Sequence, residues 1–242
     1  VYLDNVCNMS CIYCWDGFSS RIQQENKQFG EFSSNGIEIK NYAVKHSQHS
    51  ELVSAFWDWM EHNSTSLARF HVLGGEPFYQ KEFDRLLDMI DQYPNPSCEL
   101  NIVTNLMLPT ERLQQYVDRF KELLVGRKLK RVDITCSIDC WGQPAEYVRW
   151  GLNLATWEEN FEYLVEQKWI NLIVSSTITP LTIKTLPDLL KRIQQWNQQR
   201  PIYHYQNSVV HPDYMFIDMF GDIFTDDFNR AINLKPQGTP EE

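Results

Sequence analysis

The sequence predicts an α/β fold, an open, partial barrel of parallel strands. Three observations carry this. From residue 69 onward, short runs rich in Val and Ile alternate with segments of helical period. The runs are apolar without alternation, as in parallel strands covered on both faces. With the opening "VYLDNV" (1–6) there are six strand–helix units, two short of a closed eight-stranded barrel. A doubly wound open sheet has the same rhythm and stands as the alternative.

The elements follow in order. "RFHVLGGEP" (69–77) is a strand stopped by Gly-Gly and Pro, and "KEFDRLLDMIDQY" (81–93) is a helix. "ELNIVTN" (99–105) is a strand. "TERLQQYVDRFKELLV" (110–125) is a helix with Thr110 as N-cap and Leu113, Val117, Phe120 and Leu124 on one face. "RVDITCSID" (131–139) is a strand, and "TWEENFEYLVEQ" (156–167) is a helix opened by the capping pair Thr156 and Glu159. "INLIVSSTIT" (170–179), "LPDLLKRIQQWNQQ" (186–199) and "IYHYQNSVV" (202–210) complete the series as strand, helix and strand. Residues 1–212 form the core domain. The polar stretch 16–50 has no clear period and is a candidate lid, followed by a helix over 51–62. After residue 211 the pattern fades, and 213–242 reads as a C-terminal segment or linker. The chain opens on Val1 within an expected strand, as a fragment would.

Composition narrows the function classes. Forty-three per cent apolar and 22% charged residues suit a globular protein. A net charge of −10, spread along the chain, argues against nucleic-acid binding. The most basic run, "GRKLKR" (126–131), reads as a solvated loop or helix end. There is neither an apolar run long enough to span a membrane nor a signal peptide, so no membrane partner is expected.

The densest chemistry lies in "CNMSCIYCW" (7–15), which holds Cys7, Cys11 and Cys14, three of the six cysteines. At this composition the spacing arises by chance about 0.004 times per chain. Bunched cysteines without a disulfide framework point to a reducing, cytoplasmic setting and to metal or redox chemistry. Structural cysteines and a zinc site are the alternatives. Zinc needs a fourth ligand, and His46, His49 or His71 could supply it, although no spacing requires one of them. Three thiolates instead suit a four-iron cluster whose fourth iron stays open to a ligand.

Cys-x3-Cys-x2-Cys after the first strand, with Tyr13 before the last cysteine, resembles the signature of the radical S-adenosylmethionine (SAM) superfamily. The resemblance covers about residues 1–212 and is nearest to members with SPASM or twitch extensions. No cysteine follows Cys140, so that extension is absent here. It implies a partial (β/α)6 TIM-like barrel in which Cys7, Cys11 and Cys14 ligate a [4Fe-4S] cluster. It further implies that SAM is cleaved reductively to a 5′-deoxyadenosyl radical that takes hydrogen from a peptide or small-molecule substrate. A reductant such as a flavodoxin or ferredoxin is the implied partner.

"GGEP" (74–77) ends the second strand, where the family places a motif for the SAM amino group, so Gly74, Gly75 and Glu76 are candidate SAM contacts. Glycines admit a close ligand and Glu76 can accept from an amine. Polar residues at other strand ends are the next candidates: Thr104 and Asn105, Ser137 and Asp139, Ser176 and Thr177, with Asn105 and Ser137 foremost. Turn or cap duty is the ordinary role of such residues. Arg149 suits the SAM carboxylate or a solvated surface. Cys98 and Cys136 read as core, and Cys140 could face the site. The aromatics of "AFWDWM" and "IYHYQ" read as pocket lining or core, with one of His204 and Tyr205 facing inward and His211 in a turn.

Overall fold

The computed structural model describes residues 1–30, 46–209 and 212–234, with only the backbone of 46–49. Five strands form one parallel sheet in the order β2 (Arg69–Val72), β3 (Glu99–Thr104), β4 (Arg131–Ser137), β6 (Asn171–Ile178) and β7 (Tyr203–Ser208). A separate two-residue ladder joins β1 (Ser10–Cys11) to β5 (Arg149–Trp150), antiparallel. The order of the large sheet follows the chain and never reverses. A doubly wound sheet reverses at a switch point, so the winding is that of a barrel left open between β2 and β7.

Helices return the chain between strands: α3 (Lys81–Gln92), α4 (Thr110–Val125), α6 (Leu154–Glu166) and α7 (Leu186–Asn197). The central strands are the most buried, with Leu100, Ile102, Val132, Ile134, Leu172 and Val174 fully inaccessible, whereas β2 alternates exposed and buried residues and β7 is exposed from Tyr205 onward. Burial on both faces explains the apolar runs of β3, β4 and most of β6. α2 (His46–Asn63) packs through Trp57, whose Nε1 donates to Glu82 at 2.5 Å, so Trp57 is core rather than pocket lining.

Several local expectations shift. Residues 1–6 do not form a ladder strand. The segment touches β2 through Val1, whose ammonium donates to the His71 carbonyl and whose carbonyl accepts from Leu73 N at 3.1 Å. At Asn5 it turns away, because Asn5 N donates to Asp4 Oδ1 at 2.7 Å while Asn5 O accepts from Ser20 N at 2.7 Å. Thr110 is the first helical residue of α4, not its cap; the Pro109 carbonyl accepts from Arg112 N at 3.0 Å and Leu113 N at 3.1 Å. α6 is capped by Asn153, which accepts from Thr156 N at 2.9 Å, so Thr156 is a recipient of the cap. Beyond 212 the chain keeps its structure through 234, ending in α8 (Thr225–Ile232), and Gln194 of α7 donates to the Leu234 carbonyl at 3.0 Å. The "PQGTPEE" end and His211 lie outside the described residues.

In the basic run 126–131, three of the four cations are paired at the surface. Lys128 meets Asp91, Lys130 meets Glu99, and Arg131 meets Glu99 and Asp133. Among the described residues no helix is long and apolar enough to cross a membrane.

Candidate metal and cofactor site

The cysteine loop crosses the carboxyl ends of β2, β3 and β4. Local pairing holds it there: Cys11 stands opposite Arg149 in the β1–β5 ladder, Ile12 N donates to Val148 O at 3.0 Å, and Cys14 N closes a turn onto Cys11 O at 2.9 Å. The second support is α1 (Ser20–Phe29), inside the stretch expected as a lid. Its cap, Ser19, accepts from Ile22 N at 3.2 Å and donates to Met9 O at 2.7 Å. Ser20 Oγ bridges the N–H and C=O of Cys7, Arg21 donates to Asn8 O at 2.9 Å, and Ser10 donates to Glu25 at 2.8 Å. Residues 20–29 therefore buttress the loop rather than cover it, and 31–45 lie outside the described residues.

Gly74 and Gly75 have φ of +91° and +57°, a conformation that favours glycine. A Cβ on Gly74 would land on the Tyr2 ring, and one on Gly75 would meet the Val6 carbonyl. Gly75 N donates to Phe18 O at 3.1 Å and Glu76 N to Val6 O at 2.7 Å. The close approach that the glycines allow is thus made by the chain's own N-terminal segment. Glu76 is fully buried: Oε1 accepts from Thr104 Oγ1 at 2.7 Å and Phe78 N at 3.4 Å, and Oε2 from Asn105 N at 2.7 Å. Burial pushes its carboxyl up to about 7, against the pull of those donors.

Asn105 joins this corner to the cysteines. Its Nδ2 donates to Asn8 Oδ1 at 2.9 Å and lies 3.8 Å from Cys7 Sγ, and its Oδ1 accepts from Met107 N at 2.8 Å. Leu106 beside it has φ +60°, a strained conformation of the kind found at functional sites. Ser137 is half-buried at the end of β4. Ser176 faces inward instead, donating to Ile138 O at 2.7 Å and meeting His204 Nε2 at 2.9 Å. Thr177 gives its N–H to Asp139 at 2.9 Å. His204 is buried and Tyr205 exposed, as their alternation requires.

Arg149 is neither at the surface nor free to take a carboxylate ligand with its full fork. It is 7% exposed and donates to both oxygens of Asp139, at 2.9 and 2.8 Å. Tyr13 donates to the same carboxylate at 2.5 Å. Cys140 is fully buried and its thiol is pushed up to about 12 by burial, so it does not open onto the loop. Cys98 and Cys136 are core, as expected. Sequence reasoning missed Asn8, Ser19, Ser20 and the partnership of Tyr13 with Asp139. The Ser pair opening a polar segment was the one available signal.

Burial pushes the Cys11 thiol up to about 12, with Arg149 pulling it down, and the Cys14 thiol up to about 11; Cys7 is raised as well. The three cysteines are half-buried, and thiols raised in this way become thiolates when a metal coordinates them. Among the described residues no three His, Cys, Asp or Glu side chains converge on a single ion. His71 is exposed on β2, and the side chains of His46 and His49 lie outside the described residues. Among the described residues the three thiols of the loop meet no fourth ligand; an iron–sulfur cluster takes one thiolate per iron, and a structural zinc site needs four ligands.

No protein-family model matches the chain, and no curated protein matches its sequence. Solved structures do. The chain aligns over 93% of its length with Streptococcus suis SuiB at 15% identity and a TM-score of 0.53, covering 46% of that chain. It aligns over 96% of its length with native anSMEcpe, solved with bound AdoMet and the Kp18Cys peptide, at 13% identity and a TM-score of 0.56, covering 57% of that chain. The chain spans about half the length of these two proteins, and what it shares with them is the partial-barrel fold of the radical SAM enzymes.

Proposed function

We propose that this chain is the core of a radical SAM enzyme. Cys7, Cys11 and Cys14 hold a [4Fe-4S] cluster and leave one iron open to the amino and carboxylate groups of SAM. Held there and reduced, such a cluster would supply one electron for the reductive cleavage of SAM to methionine and a 5′-deoxyadenosyl radical, the species that would take hydrogen from the substrate. The observation that carries this reading is the position of three desolvated thiols on one braced loop, over the carboxyl ends of a parallel sheet with this fold. Ligand sites in parallel α/β folds gather at that end.

The chain's own residues position and shield. Asn105 and Ser137 stand at the ends of β3 and β4 and supply polar groups to SAM. Gly74 and Gly75 seat the N-terminal segment under the loop. Glu76 holds the Thr104–Asn105 corner with three donors, one of them on Oε2, and keeps one acceptor position there for the SAM amine. The substrate we favour is a peptide, by likeness to anSMEcpe with its bound peptide. A flavodoxin or ferredoxin in a reducing cytoplasm is the matching electron donor.

Anaerobic reconstitution with iron and sulfide, reduction, and addition of SAM should yield 5′-deoxyadenosine, and Cys11→Ala should yield none. The competing reading is a non-catalytic metal-binding scaffold. It would bind zinc without sulfide and release no 5′-deoxyadenosine.

A further inference from the structure

Tyr13, inside the cysteine motif, is tied to the barrel by a buried polar network. The Asp139 carboxylate receives four donors: Oδ2 accepts from Tyr13 Oη at 2.5 Å and Arg149 Nε at 2.9 Å, and Oδ1 from Arg149 Nη2 at 2.8 Å and Thr177 N at 2.9 Å. That fills the acceptor capacity of a carboxylate. Asp139 is 0% and Arg149 7% exposed, and an ion pair removed from water this far is sustained only when fully hydrogen-bonded. The Arg149 guanidinium lies 5.8 Å from the centre of the Tyr13 ring, and its backbone pairs with Cys11. Arg149 and Asp139 therefore grip the Cys11–Cys14 turn through both backbone and side chain.

We propose that Arg149 is a positioning residue for the cluster: with Asp139 it locks Tyr13 and the Cys11–Cys14 turn, and its charge offsets that of the thiolate-bound cluster, raising the cluster's reduction potential. This rests on the function proposed above. The geometry agrees with it: Arg149 stands directly opposite Cys11 in the β1–β5 ladder, so the two side chains leave the ladder on the same face. In a buried, low-dielectric site such a charge is weakly screened.

The test is a redox titration of the reconstituted chain, followed by electron paramagnetic resonance. Arg149→Gln should shift the potential negative and Asp139→Asn should shift it positive by less, while Arg149→Lys should stay near the wild type. A purely structural role would move both neutralised variants the same way or not at all, and either result overturns the charge assignment. Should a single variant fail to fold, the double variant Arg149→Gln with Asp139→Asn replaces it. It should shift negative by less than Arg149→Gln, and an unshifted double variant overturns the proposal. Tyr13→Phe keeps every charge, so its potential should hold while iron is lost to a chelator severalfold faster; unchanged iron loss overturns the positioning half. A wild type that takes up no cluster overturns the proposed function itself, an outcome separate from the wrong sign in the variants.

Discussion

At the amino ends of β2, β3 and β4, Glu99 accepts from Arg69 at 2.7 Å, Lys130 at 3.0 Å and Arg131 at 3.1 Å. At the carboxyl end of β4, Asp139 accepts from Arg149 alone among charged partners. The amino-end cations are 55%, 57% and 41% exposed, whereas the Arg149 side chain is 8% exposed. Each of these three cations reaches water and can be hydrated when its pair is broken, so each single pair is worth little. One pair sealed from water cannot be broken so cheaply. The number of contacts thus misjudges the two ends, and burial decides. The same contrast separates the two ends: the hydrated end steadies the barrel, and the dry end holds the cysteine loop.

The largest expected effect breaks the dry end. Asp139→Ala leaves Arg149 buried without a counter-charge and should cost about 3–5 kcal/mol in urea unfolding, against about 1 kcal/mol for Glu99→Ala. Equal losses would refute the contrast. Next is Gly75→Ala, where a positive φ and the Val6 carbonyl combine; the loss should reach about 1–3 kcal/mol. Gly30→Ala, also at positive φ but in open space, should cost less.

Two carboxyls give opposite pH responses. Hydrogen bonds from Arg69 and Lys130 hold Glu99 down to about 2, below its ordinary 4.5. The stability it adds is present above pH 4.5 and is lost as pH falls toward 2. Glu76 is raised by burial from 4.5 to about 7, so its penalty is absent below pH 4.5 and grows as pH rises toward 7. Stability profiles of Glu99→Gln and Glu76→Gln should flatten the first and second window respectively; a swap of windows would be decisive against this assignment. The smallest effect is that of Arg69→Ala, a loss of about 0.2–1 kcal/mol that shrinks in high salt.

Much of the barrel was legible from local pattern. The five strands of the large sheet fall inside the runs expected at 69–77, 99–105, 131–139, 170–179 and 202–210; in β3, β4 and most of β6, burial on both faces leaves an apolar composition that needs no tertiary knowledge. Residues 1–6 look similar but form no ladder, since Asp4 and Asn5 divert the backbone to α1. α1 itself has no buried residue, so the apolar period by which helices are found was missing.

The sequence by itself determined the parallel α/β class and the grouping of Cys7, Cys11 and Cys14, since period and covalent spacing are short-range properties of the chain. Only the tertiary structure decided what surrounds them. It spent the freedom of Gly74 and Gly75 on the N-terminal segment, turned Glu76 inward, and joined Tyr13 to Asp139 across 126 residues of sequence. A buried donor must find an acceptor wherever the fold brings one within reach. Which one it finds depends on how the strands and loops close in space.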